Sequence, residues 1–201
     1  MRGRKILDGA TVNYSFGGLH SVFAEAFRRV DVGKRDVRSV LVLGLGAGSV
    51  VHLLRRDHHV RAPITAVEID PVMVDVARRH FGLDRWTNLE VIVGDAVAWT
   101  RASRRRFDLI VVDLFLEAEI PAACRTREFL ESLRDRLSPG GLLLDNVVAS
   151  RPDQRERAAA FVDRFRAALP APRVLTVRGN WILAWERPRA ESVVADPDSC
   201  R

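Results

Sequence analysis

Lysine, tyrosine and cysteine are all scarce in this chain: its 201 residues include two lysines (Lys5 and Lys34), one tyrosine (Tyr14) and two cysteines (Cys124 and Cys200). Two cysteines so far apart exclude a disulfide framework and a paired thiolate metal site. The five histidines, His20, His52, His58, His59 and His80, show no metal-ligand spacing with carboxylates, so no metal is expected. No apolar run reaches the length of a bilayer span, and Met1–Gly9 lacks the apolar core of a signal peptide. The expectation is a cytoplasmic protein with no membrane partner. Because lysine is so rare, the formal charge of +6 is carried almost wholly by arginine. Such a skew can follow from codon usage and argues little for phosphate recognition. The tight run Arg104, Arg105 and Arg106 reads as a solvated turn, and nucleic acid is not the expected partner.

What is present is ordinary globular composition, 47% hydrophobic and 29% charged, in a length suited to one domain. Leu19, Val22, Phe23, Ala26, Phe27 and Val30 recur at helical spacing after a polar opening. Short Val/Leu/Ile-rich strands then alternate with helices. The expected strands are 39–43, 64–69, 89–93, 109–113 and 142–148, nearly continuous in apolarity, as when both faces of a parallel sheet are covered. Val72, Met73, Val76, Ala77 and Phe81 read as one helix face. Two further stripes are Phe129, Leu130, Leu133 and Leu137, and Ala158, Phe161, Val162, Phe165 and Leu169. Pro139-Gly140-Gly141 is read as the stop between a helix and the fifth strand. Residues 173–178 and 181–186 read as a hairpin turning at Gly179-Asn180, with Trp181 and Trp185 as packing residues. The pattern predicts a Rossmann-like, doubly wound α/β fold: a mostly parallel seven-stranded sheet ending in an antiparallel hairpin. Residues 37–188 form the expected domain, 1–36 a segment and helix packing on it or lidding it, and 189–201 a disordered tail.

Chemistry concentrates at the ends of the expected strands. Val40-Leu41-Val42-Leu43 runs into Gly44-Leu45-Gly46-Ala47-Gly48 and then a helix, so glycines allow close ligand approach while the helix start offers free N–H groups. The third glycine of a GxGxxG pattern would fall on Ser49, which favours an adenosyl-sulfonium ligand over a pyrophosphate. Glu68, twenty residues after Gly48, suits ribose hydroxyls; the plainer reading, a helix-capping acid, fits Asp70 before Pro71 better. Ile69 follows Glu68 into the same site. Asp95 is placed to bond an adenine amino group, with Ala96 donating a backbone N–H, and Asp95 serves equally as a helix N-cap. Asp113 closes the fourth strand. Four such residues at four successive strand ends converge on one crevice.

The run "VLVLGLGAGSV … ITAVEIDPVMVDVARRHF … LEVIVGDA … FDLIVVD … REFLESLRDRLSPGGLLLDNV" resembles the catalytic domain of spermidine synthases and their methyltransferase-like relatives, over roughly residues 37 to 150. Within that superfamily the terminal hairpin is typical of the class I methyltransferase fold. Val42 resembles the spermidine synthase branch, since ordinary methyltransferases usually carry an acid there. The resemblance implies S-adenosylmethionine, or decarboxylated S-adenosylmethionine, as cofactor. Glu68 would hold its ribose and Asp95 its adenine, with Asp113 facing the reacting amine or the sulfonium end. The chain departs from spermidine synthases at Ala47, where they usually have Asp. It departs again at Asp113-Leu114-Phe115-Leu116-Glu117, where the second acid of their motif has become Leu116, and at Leu19-His20, where they have Tyr-His. Sixteen residues are also too few for their N-terminal β-domain, which is expected to be absent.

Holding a diamine in a desolvated pocket takes several carboxylates. One clear candidate remains here, beside an apolar acceptor pocket of Leu114, Phe115 and Leu116. The resulting expectation is a methyltransferase acting on a small molecule. Polyamine biosynthesis by aminopropyl transfer, and a non-catalytic nucleoside-binding relative, are the alternatives. Asp113 is the expected orienter or base, with Tyr14 and His20 as second candidates. Cys124 is expected to be a small loop or buried thiol rather than a nucleophile. Association into a homodimer is one way of covering the pocket.

Overall fold

The computed structural model describes residues 18–115 and 120–189. Tyr14, Leu116, Glu117 and the expected tail beyond Arg189 therefore lie outside the described residues. Helices α1 (Gly18–Arg29), α2 (Ser49–Arg56), α3 (Pro71–Phe81), α4 (Ala96–Ala102), α5 (Arg127–Arg136) and α6 (Pro152–Ala168) alternate with strands. The strands are β1 (Val40–Leu43), β2 (Ile64–Glu68), β3 (Leu89–Val93), β4 (Phe107–Val112), β5 (Leu137–Val148), β6 (Arg173–Val177) and β7 (Asn180–Glu186). The sheet runs β3-β2-β1-β4-β5-β7-β6. All neighbours from β3 to β5 are parallel, and β7 runs antiparallel to both β5 and β6.

Alternate residues of each central strand feed opposite cores, which explains why these strands are apolar throughout. Val40 and Val42 of β1 pack with Phe23 and Phe27 of α1 and Leu53 and Leu54 of α2. Leu41 and Leu43 face the other way, into a core built on Phe129 and Leu133 of α5 and Phe161 and Phe165 of α6. The sheet is thus covered on both faces, with α1, α2 and α3 on one and α4, α5 and α6 on the other. Local signals set the helix ends. Asp70 accepts from Val72 N at 2.8 Å with Pro71 at the first helical position, and Thr126 accepts from Phe129 N at 3.2 Å. Among the described residues no helix is long and apolar enough to cross a membrane.

Three local expectations are corrected. The buried face of α3 is Val74, Ala77 and Phe81. Val72, two residues and so about 200° round the helix from Val74, is 66% exposed. Pro139-Gly140-Gly141 does not separate α5 from β5. The helix ends at Arg136, and these residues belong to an irregular start of β5, where the pairing with β4 shifts register between Phe107 and Leu109. The hairpin turns one residue early, at Arg178-Gly179, with φ of 46° and 81°. Val177 pairs with Asn180 across it, and two positive φ values are what a type I′ turn requires. Asn180 is therefore the first residue of β7, not part of the turn. Trp185 is packed as expected, buried and donating from Nε1 to Pro170 O at 3.0 Å.

Candidate functional site

Strand order reverses at the β1/β4 boundary, and the carboxyl ends there diverge to leave a crevice. Backbone ladders hold the loops that leave these strands. Gly44 N donates to Val67 O at 2.9 Å, Asp113 N to Leu43 O at 2.8 Å and Gly94 N to Glu68 O at 2.8 Å. Between the loops lies a cavity of about 260 Å³. It brings together Gly44, Leu45, Gly46, Glu68, Ile69, Asp95, Ala96 and Asp113. Its walls also contain Ser49, Val50, Met73, Val97, Pro121, Ala123 and Cys124, none of them singled out in the sequence as ligand contacts. Leu114 and Phe115 line it as expected.

Gly44 has φ of +86°, and a Cβ there would stand 2.1 Å from Asp113 O. No side chain fits at that position, so the glycine lets β1 and β4 close on each other at the floor of the cavity. Glu68 is committed to this loop. Its Oε2 accepts from Leu45 N and Gly46 N, both at 3.0 Å, and its Oε1 accepts from Asp70 N at 3.1 Å. Three of the roughly four lone-pair positions of a carboxylate are used, and one on Oε1 is left. The acid at the end of β2 thus fixes the glycine turn as well as presenting an acceptor to the cavity.

Asp95 caps α4, accepting from Ala98 N at 2.7 Å through Oδ1, and lines the cavity, so both of its expected placements coexist. Asp113 receives Asn146 Nδ2 on Oδ1 at 2.9 Å, and Asn146 Oδ1 in turn receives Asn180 Nδ2 at 2.8 Å. Burial pushes Asp113 up to about 7; the Asn146 bond opposes this and the nearby Glu68 charge adds to it. Asp145, on the opposite side of β5 from Asn146, is 3% exposed. It is raised well above the usual carboxylate range, by burial first and then by Asp113, with Arg125 acting against. The polar pair Asp145-Asn146 inside an apolar strand was a visible signal that the sequence reading passed over.

Gly48 is not in the cavity wall. A Cβ there would meet Leu83 Cδ1 at 2.8 Å, so it makes room for packing at the α2 N-terminus rather than for a ligand. His20 is half-buried on α1, where its charge bears on His52, and it is not among the lining residues. Cys124 lines the cavity but is raised to about 11 by burial, then by Asp145 and Asp95, which leaves it an unreactive thiol. Arg105 is engaged structurally, with Glu90 at 2.7 Å and the Phe107 ring at 5.4 Å. Among the described residues no group of three or more His, Cys, Asp or Glu side chains is arranged to hold a metal ion.

Comparison with known proteins places the fold in a family. Residues 40–141 match a family model described as a methyltransferase domain. The chain is 33% identical over 112 residues to a probable polyamine aminopropyl transferase of Bifidobacterium longum, covering 56% of this chain and 24% of that protein. It is 30% identical over 151 residues to an eEF1A lysine and N-terminal methyltransferase homolog of Drosophila melanogaster, covering 69% of this chain and 22% of that protein. The chain thus spans about a quarter of the length of these relatives. A crystal structure of human methyltransferase-like protein 13 in complex with SAH superposes with a TM-score of 0.65 at 26% identity, covering 90% of this chain and 82% of that one. The seven-stranded sheet with its reversed β7 is the class I methyltransferase fold.

Proposed function

The chain belongs to the methyltransferase-domain family, and from that premise we propose that it is an S-adenosylmethionine-dependent transferase that methylates a small-molecule acceptor. The single observation that carries this is the cavity in which the glycine turn, Glu68, Asp95 and Asp113 meet at successive strand ends. When bound, S-adenosylmethionine supplies a methyl group on a sulfonium, a good leaving group for in-line displacement.

The residues divide the work along the crevice. Gly44 and Gly46 let the backbone of the turn come close to the nucleoside. Glu68 takes a ribose hydroxyl on the free lone pair of Oε1, while its Oε2 holds the loop N–H groups in place. Asp95 accepts from the adenine amino group beside the apolar Ile69, Met73 and Val97. At the far end Asp113 orients the acceptor or takes its proton, and its elevation to about 7 suits a group that exchanges protons near neutrality.

Methyl transfer is favoured over aminopropyl transfer by the acceptor side of the cavity. Among the described residues its walls are Leu114, Phe115, Pro121, Ala123 and Cys124, with Asp113 as the carboxyl group there. A diamine would need more ionised carboxylates than that, and Asp145 nearby is held toward its neutral form. Aminopropyl transfer stays as the second reading because of the likeness to the Bifidobacterium protein. Product analysis separates them. S-Adenosylmethionine with a panel of apolar small-molecule acceptors is expected to give S-adenosylhomocysteine and a methylated product. Methylthioadenosine formed from decarboxylated S-adenosylmethionine and putrescine, with no methylated product, would overturn the proposal.

A further inference from the structure

The end of β4, the middle of β5 and the start of β7 are joined by two side-chain amides in series. Asn180 Nδ2 donates to Asn146 Oδ1 at 2.8 Å, and Asn146 Nδ2 donates to Asp113 Oδ1 at 2.9 Å. Strand register produces this. β5 pairs with β7 so that Asn146 lies opposite Ile182, two residues from Asn180, and Val112↔Asp145 sets Asn146 beside Asp113. Asn146 is 1% exposed, so both ends of its amide must find partners inside the protein.

We propose that Asn146 and Asn180 are positioning residues that hold Asp113 as a one-sided acceptor, with Oδ1 tied to the sheet and Oδ2 left for the cavity. The argument is one of donor and acceptor parity. An ionised carboxylate only accepts, so the end of Asn146 that meets it must be the NH₂ group. That orientation leaves the Asn146 carbonyl facing β7, where only a donor satisfies it. Asn180 supplies that donor, and so opposes rotation of the Asn146 amide that would turn its oxygen onto Asp113. Asp113 Oδ2 has no hydrogen bond among the described residues, while Asp113 itself lines the cavity. The charge that acts on Asp113 is Glu68 from β2, which favours its protonation, while Asp145 from β5 is itself held toward its neutral form by burial and by Asp113. The two amides are therefore the counterweight that keeps a carboxylate there. This rests on the reading that Asp113 faces the acceptor.

The test is a double-substitution cycle on the full chain, following Asp113 by carboxyl ¹³C NMR against pH, with Asp113→Asn to assign its signal. Asn146→Leu should raise the titration midpoint by about one pH unit, the size expected for a lost hydrogen bond to a charged group. Asn180→Ala should raise it by less, and Asn180→Ser, which keeps a donor, should restore the wild-type midpoint. Adding Asn180→Ala to Asn146→Leu should change nothing more, because its effect passes through Asn146. An unmoved midpoint in Asn146→Leu would overturn the proposal, as would equal shifts from Asn180→Ala in both backgrounds. If Asn146→Leu does not fold, the half-buried Asn180 still decides: Asn180→Ala and Asn180→Ser giving the same midpoint would refute the relay. Failure of the wild-type chain to bind S-adenosylhomocysteine would overturn the functional reading alone, since the titration needs no ligand.

Discussion

Replacing Gly44 with alanine should cost this protein more stability than any other change of one methyl group at the site. The native φ of +86° lies in the left-handed half of the map, and a Cβ would stand 2.1 Å from Asp113 O and 2.8 Å from Asp113 C. The conformational penalty alone is about 1–2 kcal/mol. The contact is with backbone on both sides, β1 to β4, so no rotamer change relieves it. Separating the strand ends would also stretch the bond from Asp113 N to Leu43 O, now 2.8 Å. Strain and backbone displacement together put the loss at roughly 4 kcal/mol, which for a chain of this length is a fall in Tm of about 8–16 °C. Gly94→Ala is the internal control, because nothing lies within 4 Å of a Cβ at Gly94. It should stay within about 0.5 kcal/mol of wild type. Urea unfolding of both variants measures the difference. A Gly44→Ala protein as stable as Gly94→Ala would refute the claim that close approach of β1 and β4 sets the floor of the cavity.

Two further predictions concern buried titrating groups. His52 is held neutral in the fold, lowered from 6.5 to about 4 by burial first and then by Arg56, Arg85 and His20; Trp86 Nε1 donates to its Nδ1 at 3.1 Å. Its stabilising contribution is complete above pH 6.5 and is lost as pH falls from about 6.5 toward 4. At pH 5 the loss is roughly 2 kcal/mol. Urea midpoints at pH 7.5 and pH 5 should therefore differ less in His52→Gln than in wild type, and an equal difference in both would exclude His52 as the cause. Cys124, raised to about 11, should react with iodoacetamide at pH 7.5 more than tenfold more slowly than a free thiol of pKa about 8.5. Rapid labelling mapped to Cys124 by peptide mass analysis would contradict its burial against Asp145 and Asp95.

Much of the fold was legible because strands buried on both faces must be apolar along their whole length. β1 to β5 could each be located from runs such as Leu109-Ile110-Val111-Val112, and the site followed from the rule that ligands bind beyond such strand ends. What failed to show were features that depend on where an element stops relative to its neighbours. Helical spacing alone could not tell that Val72 is exposed while Val74 is buried. Arg178 accepts a positive φ at the hairpin turn, so Gly179-Asn180 looked the better turn pair. That one-residue difference decides whether Asn180 is a loop residue or the donor to Asn146, a partner 34 residues away that no local pattern connects to it. Gly48 shows the converse, a motif position whose spacing suggested a ligand and whose neighbour is Leu83.

The central claim is that the crevice at Gly44, Glu68, Asp95 and Asp113 binds an S-adenosyl nucleoside. Thermal unfolding with and without S-adenosylhomocysteine, in wild type and Glu68→Ala, tests it most directly, with NAD as the competing ligand class. At about a hundred times its dissociation constant the ligand should add roughly 2.7 kcal/mol to the wild type. Glu68→Ala should show little of that increment when measured against its own unliganded Tm, and NAD should add nothing to either protein. Stabilisation by NAD alone, or an S-adenosylhomocysteine increment of the same size in Glu68→Ala, would contradict the account.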